Sequence, residues 1–273
     1  MALVTVWAIA LPGNIRADTA PEKPAVAQIP AGDSALRAVL WMRTSGEYEA
    51  LCRQTFNAAL AHVRAMLATR RSHANANPPA VIMDLDQTVL DNLAYSAHLI
   101  QSGLKHSRER WQRWNRDNIN RIGLVPGARD FIRAVTQENV HIAFVSNRSE
   151  SIRDITVEIL LSLGLGLGKK QALMDQGTLK LLLREDTGSK EKRRREVMAR
   201  YDVIALLGDN LGDFSDDFQS PTVNSIEERR EKVREYNDNW GTKWFVLPNP
   251  IYGYWTRIID WDRPETYLND PNR

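Results

Sequence analysis

The chain has 273 residues, 43% hydrophobic and 26% charged, a globular composition that excludes a mainly disordered, collagen-like or coiled-coil protein and suits one α/β domain with an accessory subdomain. Thirty-six basic residues against 34 acidic ones leave a net charge of +2, which argues against a dedicated nucleic-acid coat. The single cysteine, Cys52, excludes an intramolecular disulfide framework and any Cys-rich zinc site, so a bound metal must take oxygen or histidine ligands.

An apolar run from Met1 to Leu11 opens the chain, too short to span a bilayer but suited to the core of a signal peptide. No basic residue precedes it, Pro12, Gly13 and Asn14 break it, and Ile15-Arg16-Ala17 offers a cleavage site. Residues 1–17 are therefore predicted to be a signal peptide sending the chain to the periplasm or the exterior, and the Pro/Ala-rich stretch 18–33 to be a disordered tether. In 34–78, Leu36, Leu40, Tyr48, Leu51, Phe56, Leu60 and Val63 recur at helical spacing. Two helices are predicted there, interrupted near Ser45-Gly46 and belonging to a small helical subdomain, with Cys52 buried.

After Pro78-Pro79 the pattern changes. Ala80-Val81-Ile82-Met83, His141 to Val145 and Val203 to Leu207 are short, apolar and rich in β-branched residues, with helical stretches such as 151–163 and 190–200 between them. Short buried strands alternating with helices predict a doubly wound parallel sheet over 79–273, with a helical insertion at about 93–122.

Each strand runs into a polar cluster. The first delivers Asp84-Leu85-Asp86-Gln87-Thr88, the second Ser146-Asn147-Arg148, and the third Gly208-Asp209-Asn210-Leu211-Gly212-Asp213. Turn chemistry accounts for one such cluster. Three, in order and with a lysine between the second and third, point to one site beyond the carboxyl ends of a parallel sheet. Asp84, Asp86 and Asp209 would repel one another there unless a hard cation joined them, and oxygen ligands suit magnesium. A carboxylate beside such a cation stays ionised and can attack phosphorus, while Ser146, nearby amides and a lysine hold the transferred group.

These four elements resemble the motifs of the haloacid dehalogenase-like (HAD) phosphatases. With Asp91-Asn92, Leu247-Pro248-Asn249-Pro250-x-Tyr252-Gly253 and Leu40-Trp41-x-x-Thr-Ser-Gly-Glu47-Tyr48, the resemblance narrows to class C acid phosphatases, a branch that includes bacterial lipoprotein 5′-nucleotidases. The resemblance implies a HAD-like three-layer core and phosphate-monoester hydrolysis through an aspartyl-phosphate. It implies Asp84 as nucleophile, Asp86 as general acid and base, and Lys190, with Lys192 as the fallback, as the motif lysine. Magnesium would be held by Asp84, the Asp86 carbonyl and Asp209, with Asp213 close by. Ser146, Asn147, Arg148 and Thr88 fall in the phosphate-binding set. Nucleoside monophosphates are the leading substrates, with sugar or aryl phosphates, or non-catalytic phosphate binding, as alternatives.

Trp111 and Trp114 lie three apart on a predicted helix, a spacing that by itself suits core packing. In the resembled family, aromatics from this region and from the Tyr252 loop sandwich the substrate ring, which implies stacking roles for Trp111 and Tyr252. Gly164, Gly166 and Gly168 follow a helix and read as a cap and turn, not a phosphate cradle. Lys192 to Arg195 read as a solvated helix face. No nucleic-acid partner and no stable membrane insertion are expected, since the lipobox cysteine of the lipoprotein relatives is absent. Assembly into a homo-oligomer is left open.

Overall fold

Strands that are apolar on both faces are satisfied only as the middle layer of a sheet covered on each side. In the computed structural model, residues 35–70, 77–165 and 179–268 are described, and the apolar runs form that layer. The predicted signal peptide and tether lie outside the described residues.

The chain enters through α1 (Leu36–Thr44) and α2 (Gly46–Arg70). Ser45 between them is extended, and its hydroxyl accepts the Tyr48 N–H at 3.1 Å, so the predicted break serves as the cap of α2. Then follow β1 (Pro79–Met83), β2 (Leu90–Asp91), α3 (Leu93–Gln101), α4 (Arg108–Asp117), β3 (Gly123–Leu124) and α5 (Ala128–Gln137). After them come β4 (His141–Ser149), α6 (Arg153–Ser162), β5 (Leu179–Arg184), α7 (Glu191–Met198), β6 (Asp202–Gly208), α8 (Ile226–Glu235) and β7 (Trp244–Val246). The five long-range strands pair in parallel in the order β5-β4-β1-β6-β7. The fold is the α/β, parallel-sheet architecture expected.

Alternate strand residues feed two apolar clusters. Val81, Met83, Ile142, Phe144 and Leu207 join Cys52, Phe56 and Val63 of α2 and Phe131 and Val135 of α5 on one face. Ile82, Ala143, Val145 and Leu206 join Val197 of α7 with Phe214, Phe218 and Trp244 on the other. Each fully buried aliphatic or aromatic side chain contributes about 1.5–3 kcal/mol relative to exposure, so both clusters are needed to hold the strand ends in register. The N-terminal helices thus share a core with the sheet.

The two helices and the buried Cys52 are present; the buried face of α2 runs through Tyr48, Cys52, Phe56, Ala59 and Val63, while Leu40 and Leu51 of the helical pattern are exposed. Strand β5, Leu-Lys-Leu-Leu-Leu-Arg, had no strand signal because its leucines carry helical propensity. Pairing with β4 makes it extended, an override of local preference by tertiary context. The segment 93–122 is bounded by the short β2–β3 pair, in which Leu90 meets Leu124 and Asp91 meets Gly123. Gly164 ends α6 at φ +70°, the left-handed cap conformation expected of it, while Gly166 and Gly168 lie outside the described residues. No helix among the described residues is long and apolar enough to cross a membrane.

Candidate active site

The chain moves outward from β1 through β4 to β5, then returns to the other side of β1 with β6 and β7. That reversal opens a crevice at the carboxyl ends of β1, β4 and β6, where the connecting chains leave in opposite directions. Asp84 directly follows β1, Ser146 lies in the last turn-ward residues of β4, and Asp209 directly follows β6. The three motifs therefore meet because their strands are adjacent.

Carboxylate oxygens of Asp84, Asp209 and Asp213 all lie within 4.8 Å of one another. Asp213 is fixed from behind by a reciprocal cap: its Oδ2 accepts the Asn210 N–H at 2.9 Å, and Asn210 Oδ1 accepts the Gly212 N–H at 3.2 Å. A Cβ at position 208 would overlap the Asp213 carboxylate, so this close approach requires glycine. Lys190, only 4% exposed, enters from the loop after β5. Its ammonium donates to Asp84 Oδ1 and lies 2.6 Å from Asp213 Oδ1. Lys192 is exposed on α7, so Lys190 is the lysine that reaches the cluster.

Burial pushes the Asp84 carboxyl up to about 7, and the neighbouring charges of Asp213 and Asp86 add to this while Lys190 opposes it. Burial likewise holds Asp209 well above the carboxylate range, with Asp213 and Asp84 reinforcing the shift and Asn249 opposing it. Burial disfavours the Lys190 ammonium, but Asp213 and Asp84 outweigh it and raise its pKa. One ammonium thus faces three crowded, desolvated carboxylates. An all-oxygen set with excess negative charge suits a hard divalent cation.

The second aspartate of the first motif stands apart from this cluster. Asp86 Oδ1 accepts from Arg148 Nη2 at 2.7 Å, Arg148 Nε at 3.0 Å and Asn92 Nδ2 at 2.7 Å. Arg148 had been expected at the phosphate; its guanidinium is instead committed to Asp86 and, through Nη1, to Asn115 Oδ1 at 2.9 Å. Thr88, also expected to touch substrate, is fully buried and donates to Asp209 Oδ1 at 3.2 Å. Ser146 is buried, with its Oγ accepting the Arg148 N–H at 3.2 Å. Asn147 is exposed and ties β4 to the lysine loop, its Nδ2 donating to Gly188 O at 2.9 Å and its Oδ1 accepting from Arg193 at 2.7 Å.

Trp114 is a core residue, whereas Trp111 is half-buried, 4.8 Å edge-to-face from Tyr95 and 5.3 Å from the Arg148 guanidinium. Tyr252 is 39% exposed. Desolvation, followed by the charges of Asp209, Asp86 and Asp84, pushes its phenol pKa well up. His106 Nδ1 pairs with the Tyr95 hydroxyl at 3.1 Å, and His98 stacks on Trp114.

Several site residues carried no assignable role in the sequence. Asn249 donates to Asp209 Oδ2 at 2.7 Å, Asn115 braces Arg148, and Arg194, almost fully buried, donates to the carbonyls of Gly212 and Asp213 at 2.9 and 3.3 Å. The basic run is therefore no uniform solvated face. Lys192 and Arg195 point to solvent, but Arg193 and Arg194 turn inward with Lys190 and Val197 because they share one side of α7. Arg193 reaches the Ser146 carbonyl.

Comparison with known proteins agrees with this geometry. Residues 15–255 match the model of HAD superfamily subfamily IIIB, the acid phosphatases. The chain belongs to that family. It is 31% identical to the class C acid phosphatase from Bacillus anthracis, covering 86% of this chain and 89% of that one, with a TM-score of 0.67. A tungstate-bound structure of the B. anthracis enzyme matches at 31% identity over 86% and 90% of the two chains, with a TM-score of 0.68. The chain is accordingly an acid phosphatase, a phosphoric monoester hydrolase of the HAD superfamily.

Proposed function

We propose that this acid phosphatase hydrolyses small phosphate monoesters, nucleoside monophosphates foremost, by a magnesium-dependent route through an aspartyl-phosphate on Asp84. The observation that carries the reading is the buried junction in which Lys190 bridges Asp84 and Asp213 beside Asp209. Asp84, Asp209 and Asp213, with the Asp86 carbonyl, would hold the cation. When bound, Mg2+ supplies positive charge that offsets the carboxylates and the phosphoryl oxygens.

Within this reading, one Asp84 oxygen attacks phosphorus while Lys190 balances the charge of the transferred group. Asp86 protonates the leaving oxygen and afterwards takes a proton from the water that hydrolyses the acyl phosphate. Ser146 and Asn147 hold phosphoryl oxygens at the end of β4. Tungstate bound to the related B. anthracis enzyme supports an oxyanion pocket here, because tungstate shares the tetrahedral shape and charge of phosphate. Trp111 and Tyr252 would stack on the base, which is worth about 1–3 kcal/mol and tolerates different bases. Small sugar and aryl phosphates are the competing substrates.

The test is release of phosphate from a chromogenic aryl phosphate by the magnesium-loaded protein. Asp84→Asn should abolish it while leaving the fold intact; turnover equal to the unsubstituted enzyme would sink the nucleophile assignment. A panel of nucleoside 5′- and 3′-monophosphates against sugar phosphates ranks the substrates. The apolar run at 1–11 supports export to the periplasm or beyond, checked by the mass of the exported protein.

A further inference from the structure

The two oxygens of the Asp86 carboxyl are not equivalent. Oδ1 takes three donors, Arg148 Nη2 at 2.7 Å, Arg148 Nε at 3.0 Å and Asn92 Nδ2 at 2.7 Å, which saturates a carboxylate oxygen. Oδ2 has only a longer share, at 3.2 Å, of the single Arg148 Nε–H that also reaches Oδ1. The Asp86 side chain keeps 21% exposure while that of Arg148 has none. A guanidinium taken so fully out of water is tolerated only where its hydrogen bonds are fixed in direction.

Arg148 is fixed on its other sides too. Its backbone N–H is held by Ser146 Oγ at the end of β4. Its Nη1 donates to Asn115 Oδ1 at 2.9 Å, and Asn115 Nδ2 donates in turn to the Trp111 carbonyl at 2.8 Å. The guanidinium carbon lies 5.3 Å from the centre of the Trp111 ring. Three separate parts of the chain, the loop after β1, the end of β4 and helix α4, therefore converge on one carboxyl group.

We infer that Arg148 and Asn92 are positioning residues that lock Asp86 through Oδ1 and leave Oδ2 as the oxygen that delivers the proton to the leaving group. This rests on the acid role given to Asp86 above. In the step concerned, the bond from phosphorus to the leaving oxygen breaks as the bond from phosphorus to an Asp84 oxygen forms. The electron pair of the broken bond goes to the leaving oxygen, and the Oδ2 proton joins it. Asp86 is left as a carboxylate whose negative charge is born against the Arg148 guanidinium. Asn115 extends the same brace to the helix that carries Trp111, so the segment proposed to grip the substrate ring also sets the angle of the acid.

A purely structural arginine and a positioning arginine differ in how their loss depends on the leaving group. A nitrophenolate departs readily without protonation, whereas an alkoxide needs the acid. The experiment measures kcat/KM, which covers the steps through leaving-group release, for p-nitrophenyl phosphate and for β-glycerophosphate in the magnesium-loaded full chain. General acid catalysis is worth about 10²–10⁴-fold, so a misaligned acid is expected to lose on the order of 10-fold or more on the alkyl ester beyond its loss on the aryl ester. Arg148→Lys and Asn92→Ala should both show this selective loss. Asn92→Ala is the milder variant for folding, because the amide Oδ1 it removes is buried without a partner. Equal losses on the two substrates in both variants would overturn the positioning role. Asp86→Asn separates the layers: if it shows the selective loss and the other two do not, only this inference falls. If Asp86→Asn loses equally on both esters, the acid assignment falls with it.

Discussion

Replacing Lys190 with methionine keeps the stem of the side chain but removes the single cation from a group of three carboxylates. Oxygens within 4.8 Å of one another interact by at least about 3 kcal/mol per ionised pair at an effective dielectric near 20. Three such pairs approach roughly 10 kcal/mol, comparable with the whole stability of a domain, so the variant cannot keep all three ionised. It must take up a proton or a cation, and that escape limits the expected cost to about 3–5 kcal/mol, the range for removing one member of a buried ion pair. The assay is urea unfolding of both proteins in chelator at pH 8 and pH 5.5, then at pH 8 with magnesium. The loss should be greatest at pH 8 in chelator and shrink under either rescue. A variant as stable as the parent at pH 8 in chelator would refute the reasoning. So would a loss that neither acid nor magnesium reduces.

The parent protein has its own pH signature. Asp84, at about 7, and Asp209, well above its ordinary value, bind protons more tightly folded than unfolded. In chelator, stability should therefore rise as pH falls from 8 through about 7, and urea midpoints across that range check it. Gly208→Ala should force the Asp213 carboxylate aside and weaken the proposed binding of magnesium at the carboxylate cluster by 10-fold or more in titration calorimetry, with secondary structure retained. Arg194→Met should cost about 1–3 kcal/mol in urea unfolding, since the buried Gly212 carbonyl loses its donor while Asp216, partly exposed, can turn to water. Trp111→Ala should lower kcat/KM for nucleoside monophosphates about 10–100-fold and for sugar phosphates much less; equal losses would remove the stacking role.

Much of this protein was readable in order along the chain. Three apolar runs ending in polar clusters determined the parallel sheet and the edge at which its chemistry gathers, because strands buried on both faces leave their polar residues at the ends. The helix break at Ser45 and the cap at Gly164 were equally local, each set by one residue's backbone preference or side-chain acceptor. Strand β5 was hidden because leucines follow whatever their neighbours impose, and here the neighbour is β4.

The site divides in the same way. That Asp84, Asp209 and Asp213 belong to it follows from sequence, since they sit at fixed offsets from strand ends, whereas Asp86, grouped with Asp84 by its motif, stands apart on Arg148. What each polar partner does depends on where its long side chain finds its charge, and that is decided only by packing. Arg148 is adjacent to the phosphate-loop residues in the chain yet turns to Asp86, because a buried guanidinium goes to the carboxylate that can meet two of its nitrogens. Lys190 and Lys192 are two residues apart, and Lys190, capping the start of α7, goes to the core while Lys192, on its first turn, goes to water. Local sequence could name the atoms of this phosphatase; the tertiary structure alone paired them, because pairing depends on distances between strands that are remote in the chain.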